Sequence, residues 1–468
     1  MKDSFKVTLV TPHVGRKDPD HLKEYVRTWQ MANLPVATLA GLTPDDVEVA
    51  FYDERVEFID FDSPTDLVGI TIETYNAKRA YEVAARFRSR GVPVVMGGYH
   101  AMLVPDEVQD YADSVLLGFA EGVWPQIVQD ARQGRLQPRY QREPHLPMTF
   151  GMPNRRILGR RNYVNLSLVE TGRGCPQRCN FCTITAATRA NYYPRPIPEI
   201  VADISAIRES GGSRNIFLVD DNIVGNVGYA KELFRELAPL GIRWFSQGTM
   251  SMTRDEELLK LMADSGCVGL LVGFESLSWR TLLEMDKRVN LPFINGIRES
   301  VDRLHQYGIG VYGTFIFGYS ETLEDYRRTA RAAVDLGLFM AAFNPLIPFP
   351  GTRLYHQLLQ EDRLTDPQWY LDPGFRFGDV PFLPRYMTAD QLKEACLEAR
   401  RTFYGWGGIA RRAANWRGNL TNPIKAAAYW YINWQLRREI SEKDGLPLGN
   451  EPCRPVARQG ADAARLPV

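Results

Sequence analysis

The sequence predicts an α/β chain in three parts: a Rossmann-like, doubly wound parallel sheet, a second series of strand–helix units, and a mainly helical C-terminal region. Three observations carry this. Short β-branched runs alternate with helical periods through the first 135 residues. Strand–helix units then repeat about six times between 162 and 363, and such alternation builds parallel sheets. The 468-residue length exceeds what one core ordinarily serves. The expected divisions are 1–135, a linker at 136–161, 162–363, and 364–468 with a disordered tail.

Composition narrows the function classes. A chain 44% hydrophobic and 24% charged is globular. Its 56 Lys and Arg balance 56 Asp and Glu, so nothing in the net charge argues for nucleic acid. Met1-Lys2-Asp3-Ser4-Phe5 leads straight into a strand-like run, so no signal peptide is expected. No apolar run reaches about 18 residues, and no membrane span is expected. Of six cysteines, three share one motif and Cys267, Cys396 and Cys453 are scattered, which is not a disulfide framework. A reducing cytoplasm is the expected setting.

In order, 6–11 reads as a strand ending at Pro12-His13, 34–40 as a helix, and 47–52 and 67–72 as strands. A helix by period covers 77–90, and strand 92–96 ends at Gly97-Gly98-Tyr99-His100. A helix begins at 105–111, and strand 114–117 ends at Gly118-Phe119-Ala120-Glu121. Ligands of doubly wound sheets bind beyond the carboxyl ends of the strands. That rule selects Pro12, His13, Thr71, Gly97, Gly98, His100, Gly118 and Glu121. The glycines would let a bulky ligand approach the backbone. His13 and His100 also read as loop histidines bonded to backbone. The polar segment after 125 holds Arg155, Arg156, Arg160 and Arg161, a solvated linker or a contact for an anionic group.

From 162 onward, strand ends carry Asp220-Asp221-Asn222, Gln247 and Glu275, with Gly313 and Gly318 in and after the fifth strand. In β/α barrels the C-terminal strand ends face the site. Carboxylates there also cap following helices, and strand glycines also serve close packing. Cys267 and Cys396 read as small buried hydrophobes.

Just after the first of these strands comes Thr171-Gly172-Arg173-Gly174-Cys175-Pro176-Gln177-Arg178-Cys179-Asn180-Phe181-Cys182. Thiolates select zinc or iron–sulfur clusters. Structural zinc wants four protein ligands, and no fourth Cys or a His lies nearby. A 4Fe–4S cluster on Cys175, Cys179 and Cys182 would leave one iron open to an external ligand.

This Cys-x-x-x-Cys-x-x-Cys spacing, with Phe181 before the last Cys, resembles the signature of the radical S-adenosylmethionine (SAM) superfamily. The resemblance implies a partial (β/α)6 barrel, SAM chelating the open iron, and reductive cleavage to a 5′-deoxyadenosyl radical. It implies that Asp220, Asp221 and Asn222 meet the SAM ammonium, with Gln247 near ribose or carboxylate and Glu275 at its polar groups. Thr314-Phe315-Ile316-Phe317-Gly318 is similar to the family's Gly-x-Ile-x-Gly near adenine, with Thr314 in place of the first Gly and Gly313 beside it. Gly97-Gly98-Tyr99-His100 with Pro105, and Gly118-Phe119-Ala120-Glu121, resemble the cobalamin-binding domain that precedes the barrel in one large subfamily. The Asp-x-His-x-x-Gly motif is absent, and Asp18-Pro19-Asp20-His21 does not fit it.

The resemblance implies methylation of an unactivated carbon in a tetrapyrrole, lipid or secondary-metabolite substrate, with cobalamin carrying the methyl group. The alternative is a non-methylating reaction: cyclisation, ring contraction or transfer of another SAM-derived group. A non-catalytic cluster carrier would need no SAM site. The expected partners are a small, hydrophobic substrate and a reductant such as flavodoxin or ferredoxin.

Residues 354–385 are loop-rich and aromatic, either core or pocket lid. A helix capped by Thr388 runs to 404. Trp406, Arg411, Arg412, Trp416 and Arg417 precede an apolar-aromatic helix at 424–440. That stretch reads as a helix docked on the barrel or as a peripheral membrane contact. A disordered tail is expected beyond about 446.

Overall fold

β-Branched runs form the strands of the first sheet because alternate faces are covered by helices. The computed structural model describes residues 4–16, 30–142, 148–159, 161, 163–442 and 444–449. The Asp18–His21 stretch, Arg160, Cys453 and the expected tail from 450 onward lie outside the described residues. The first sheet contains β1 (Phe5–Thr11), β2 (Val47–Asp53), β3 (Leu67–Thr71), β4 (Val94–Gly97), β5 (Ser114–Leu117) and β6 (Arg139–Gln141), all parallel in the order β2-β1-β3-β4-β5-β6. The order reverses between β1 and β3, so the ligand-binding crevice of such a sheet opens there.

Two features depart from expectation. The helix Trp124–Arg132 lies in the stretch read as polar connecting segment, and β6 carries the first sheet past residue 135, into the segment read as linker. The helix is amphipathic in a way its polar composition hides: Trp124, Ile127 and Val128 are buried. The Trp124 indole donates to Thr43 Oγ1 at 2.9 Å. A short helix, Tyr99–Leu103, also starts where strand β4 was expected only to end in a loop. Gly98 makes that turn at φ 117, where a Cβ would lie 2.6 Å from the Ile72 carbonyl oxygen.

The second sheet begins with β7 (Ser167–Glu170). A small antiparallel pair follows, β8 (Gly172–Gly174) with β9 (Tyr192–Pro194). Then come β10 (Asn215–Val219), β11 (Arg243–Gly248), β12 (Cys267–Glu275), β13 (Gly310–Phe317) and β14 (Met340–Pro345). Six parallel strands in the order β14-β13-β12-β11-β10-β7 make the expected open barrel.

The basic segment between the sheets is a clamp rather than a solvated linker. Arg155 pairs with the buried Asp203 of helix Ile197–Glu209 and donates to the Leu168 carbonyl at 2.6 Å. Arg161 bonds Glu57 at 2.7 Å and the Phe51 carbonyl at 2.6 Å. The aromatics of 364–385 serve the core: Trp369, Tyr370 and Phe375 pack into the first domain's apolar cluster. The chain at 446–449 is also held, not loose. Leu446 and Leu448 are buried, and the Gly449 N–H donates to the Val14 carbonyl at 2.9 Å.

The far end of the barrel is closed by polar groups. Arg412, fully buried, donates to the carbonyls of Leu338 and Phe339 at 3.0 Å and stacks 3.7 Å from the Phe403 ring. Cys267 and Cys396 are buried, as expected.

Asp203 offers the stability test. Asp203→Ala removes the carboxylate shared by Arg155 and by Arg195, which is 1% exposed and keeps Glu199 at 3.4 Å, and urea unfolding should register a loss of about 3–5 kcal/mol. A second test uses pH. Burial lowers the His13 pKa to about 3 and that of His305 to about 4, from 6.5. The unfolded chain takes up these protons below about pH 6.5 and the folded chain does not. The stability from keeping each ring neutral is therefore present above 6.5 and lost as pH falls toward the folded value. Between pH 6.5 and 4, wild type should lose about 1 kcal/mol per pH unit more than His305→Gln in paired urea titrations. Taking the difference cancels carboxyls that titrate in the same window.

Candidate active site

The cysteine loop is shaped by its glycines and pinned by one asparagine. Gly174 sits at φ 83, and a Cβ there would fall 2.1 Å from the Asn191 carbonyl oxygen. Its N–H donates to Asp221 Oδ2 at 2.6 Å. Asn180 joins the loop to three barrel segments: its N–H and side-chain NH₂ donate to the carbonyls of Met285 and Glu284, its carbonyl accepts from Leu354 N–H, and its Oδ1 accepts from Tyr319.

Cys175, Cys179 and Cys182 are all free thiols, Cys179 buried and the others half-buried. Burial pushes Cys175 up and Cys179 to about 12. Anionic sulfur therefore needs compensation here, and two groups offer it. Lys287, buried, is held charged by Glu275 at 3.1 Å and by the neighbouring sulfurs, against the opposing effect of burial. Asn222 directs its NH₂ to Cys175 Sγ at 3.7 Å. This donor set fits a cluster. Asn222 Oδ1 is buried with no partner, an acceptor that an incoming ammonium group would satisfy.

The expected SAM residues divide. Asp221 and Asn222 flank the cluster loop. Asp220 is a clamp: it accepts from Thr171 Oγ1 at 2.8 Å, Tyr192 OH at 2.9 Å and Asn222 N–H at 2.9 Å, and burial raises it to about 7. Glu275, at φ 61, is spent on Lys287 and Thr314. Gln247 is half-buried at the end of β11, and its carbonyl accepts from Ile223 N–H. Gly313 turns toward Leu338 and Phe274 in the core, where a Cβ would lie 2.7 Å from Leu338. Gly318 packs under Leu346, Phe382 and Leu392, beside a separate, smaller cavity. Both glycines serve close packing.

A cavity of about 340 Å³ opens at the crevice of the first sheet and runs to the cluster loop. Its inner walls are apolar, from Leu9 and Val10 on β1, Leu34, Val36 and Leu39 opposite, and Trp124. Its rim holds Thr71, Gly97, Gly98, Gly118 and Glu121 from the expected set, then Glu170, Gly172, Arg173, Asp220 and Asp221 from the barrel. At Gly118, φ 91, an added Cβ would meet nothing within 4 Å, so the wall is open there. A deep apolar slot under a glycine rim fits the flat base and ring of a cobalamin.

Pro12, His13 and His100 do not line this cavity. Pro12 is buried, its carbonyl accepting from Asn76. His13 is buried beside Glu54. His100 bridges Thr74 Oγ1 at 3.1 Å and Glu107 at 3.3 Å, and Glu107 also accepts from Tyr370 at 2.5 Å. The two histidines hold loops and the C-terminal aromatic segment in place.

Sequence reasoning passed over three cavity residues. Arg173 pairs with Glu121 through bonds of 2.9 and 2.6 Å and with Glu170 through bonds of 2.6 and 2.7 Å, between the rings of Phe119 and Phe150. Burial pushes Glu121 up, but Arg173 holds it below the usual carboxylate range. Glu73 opens onto the cavity yet is walled by protein, and that enclosure raises its carboxyl. Tyr99, whose phenol is raised by burial and by Asp221, stands between the cavity and the cysteine loop. Arg173 and Tyr99 lie inside the quoted motifs, where position alone pointed to them. Glu73 carried no pattern beyond following β3.

The site makes two predictions. Replacing Cys175, Cys179 and Cys182 together by Ala should abolish iron and sulfide retention after anaerobic reconstitution, with the circular dichroism spectrum unchanged. Arg173→Met should cost about 3–5 kcal/mol in urea unfolding by stranding the buried Glu121 and the half-buried Glu170, while Arg173→Lys should recover only part of it.

The radical SAM superfamily profile matches residues 169–333. The chain is 29% identical to the bacteriochlorophyllide d C-12(1)-methyltransferase of Chlorobaculum tepidum, over 86% of this chain and 87% of that one. Its fold matches TsrM, a radical SAM methyltransferase of Kitasatospora setae solved with cobalamin and a [4Fe-4S] cluster, at TM-score 0.63, 18% identity, and 94% and 99% coverage. It also matches the cobalamin-dependent SAM radical enzyme OxsB, solved with aqua-cobalamin and SAM, at TM-score 0.65, 14% identity, and 94% and 72% coverage. With its cysteine loop at the end of β7 and its crevice facing that loop, the chain carries a radical SAM barrel matched over residues 169–333, and the parallel-sheet domain before it shares the fold of these two structures.

Proposed function

We propose that this enzyme methylates an unactivated carbon of a largely apolar biosynthetic substrate, a tetrapyrrole, lipid or secondary metabolite, in a reducing cytoplasm. The observation that carries the reading is the shared cavity: it joins the carboxyl ends of both parallel sheets, so groups held by either sheet share one chamber. When bound, the 4Fe–4S cluster with SAM supplies a radical that removes a substrate hydrogen, and cobalamin supplies the methyl group. The cofactors carry that chemistry, and the protein sets geometry and environment.

The residues divide that work. Cys175, Cys179 and Cys182 hold the cluster, with Lys287 and Asn222 offsetting its charge. Asp221 and Asn222 meet the SAM ammonium, and Gln247 its ribose or carboxylate. Asp220 and Glu275 shape that site from behind. Thr71, Gly97, Gly98, Gly118 and Glu121 edge the corrin, with Glu73 and Tyr99 facing it. Leu9, Val10, Leu39 and Trp124 keep water from the chamber, which protects a radical from quenching. The described cysteines, all free, suit a reducing setting, and a flavodoxin or ferredoxin would supply electrons. Similarity to an enzyme named for bacteriochlorophyllide methylation supports the substrate class.

The test separates methyl transfer from radical formation. Reconstituted enzyme with SAM, reductant and bacteriochlorophyllide d as probe should release S-adenosylhomocysteine together with 5′-deoxyadenosine. Leu39→Trp, which fills the apolar slot, should cut corrin retention and S-adenosylhomocysteine at least about tenfold, while 5′-deoxyadenosine formation persists. Equal S-adenosylhomocysteine from wild type and Leu39→Trp, or none from an enzyme with an intact cluster, would refute methylation in favour of a non-methylating reaction.

A further inference from the structure

The last helix, Pro423–Arg438, carries large apolar side chains on its outward face as well as its inward one. A helix that merely docks on a barrel buries its apolar stripe and exposes its polar one. Here Ile424, Trp430, Tyr431 and Trp434 are 68%, 45%, 53% and 40% exposed, at helical spacing along one outward stripe. The inward face mixes buried polar groups with Tyr429, fully buried against Phe339, and Leu436, packed on the barrel core. Asn433 is fully buried, accepting from Arg412 at 2.8 Å and donating to the Phe339 carbonyl. Lys425 donates to the carbonyls of Val268 and Gly308.

Neighbouring segments extend this surface. Trp406 and Trp416 are 54% and 61% exposed, so four of the five exposed tryptophans among the described residues lie between 406 and 434. Arginines stand on three of them: Arg437 over Trp406 at 5.1 Å, Arg417 over Trp416 at 5.4 Å and Arg438 over Trp434 at 4.9 Å. None of these arginines has a carboxylate partner among the described residues. Indole and phenol rings beside unpaired cations match the headgroup zone of an anionic bilayer, where rings take the interface and arginines meet phosphates. No helix among the described residues is long and apolar enough to cross a membrane, so this surface would lie on lipid rather than in it.

We propose that the face formed by residues 406–438 seats the enzyme on an anionic lipid surface. The bonds of Lys425 and Arg412 fall at the starts of β12, β13 and β14. The face therefore lies at the barrel end opposite the cysteine loop, and seating leaves the cluster end pointing away from the lipid. The inference uses no part of the methylation reading, and each stands or falls without the other.

The test is co-sedimentation of the full-length, cluster-loaded protein with phosphatidylcholine vesicles and with vesicles of phosphatidylcholine mixed with phosphatidylglycerol. Binding should favour the mixed vesicles and weaken with salt. Arg437→Glu/Arg438→Glu should lower it by roughly 30-fold or more, and Trp430→Ser/Trp434→Ser should remove it. Cluster absorption should be the same in all variants, which separates lost binding from lost folding. The proposal fails if neither vesicle carries the protein down, or if both double variants bind like wild type. It also fails if the protein sediments as a dimer that Trp430→Ser/Trp434→Ser splits while wild type ignores lipid, since the face is then a contact between copies.

Discussion

One guanidinium holds the two halves of the catalytic chamber together. Arg173 stands two residues ahead of Cys175, and its four hydrogen bonds are divided between Glu170, at the end of β7, and Glu121, at the rim of the first sheet. Phe119 and Phe150 cover its faces. Bidentate pairing fixes orientation as well as distance. A buried pair of this kind is weak evidence for net stability but expensive to break from one side. The cysteine loop and the crevice of the first sheet thus share an anchor, and neither can shift without stranding charge.

Other contacts bring the same halves into register from different directions. Arg155 and Arg161 tie the connecting segment to both domains. The C-terminal aromatic segment crosses back, with Tyr370 bonded to Glu107 and Trp369 buried in the first domain's core. The chain at 446–449 returns to Val14. Such distributed fastening suits a chamber whose chemistry depends on two large groups being held at fixed separation. Positioning of this kind is the protein's main contribution when cofactors carry the reaction.

Much of this was legible in the residues. The strand–helix alternation located both sheets, and the six barrel strands fell within a few residues of expectation because buried parallel strands read as apolar runs. The cysteine spacing and the glycine rim at 97, 98 and 118 needed no structure. What failed did so for identifiable reasons. Helix Trp124–Arg132 and strand β6 hid in a polar composition because few of their residues, Trp124, Ile127, Val128 and Tyr140, are buried in the apolar core. His13 and His100 stand near strand ends, as ligand residues do, but their rings turn into loop networks, and side-chain direction is invisible to a strand-end rule. Gly313 and Gly318 matched a family pattern, whereas the space around them is filled by Leu338 and Phe382. Arg173 went unmarked because its partner in the other domain, Glu121, lies 52 residues away, and Glu73 because nothing but its place after β3 distinguishes it.

The central claim is that one chamber brings corrin and cluster together, and electron paramagnetic resonance tests it most directly. The reconstituted enzyme, carrying cob(II)alamin and a reduced cluster, would be examined at low temperature against samples holding only one of the two. The account predicts mutual broadening of the two spectra by dipolar coupling, weakened in Arg173→Met. A spectrum equal to the sum of the two separate signals, or a protein that keeps its cluster while corrin is lost on desalting, would contradict it.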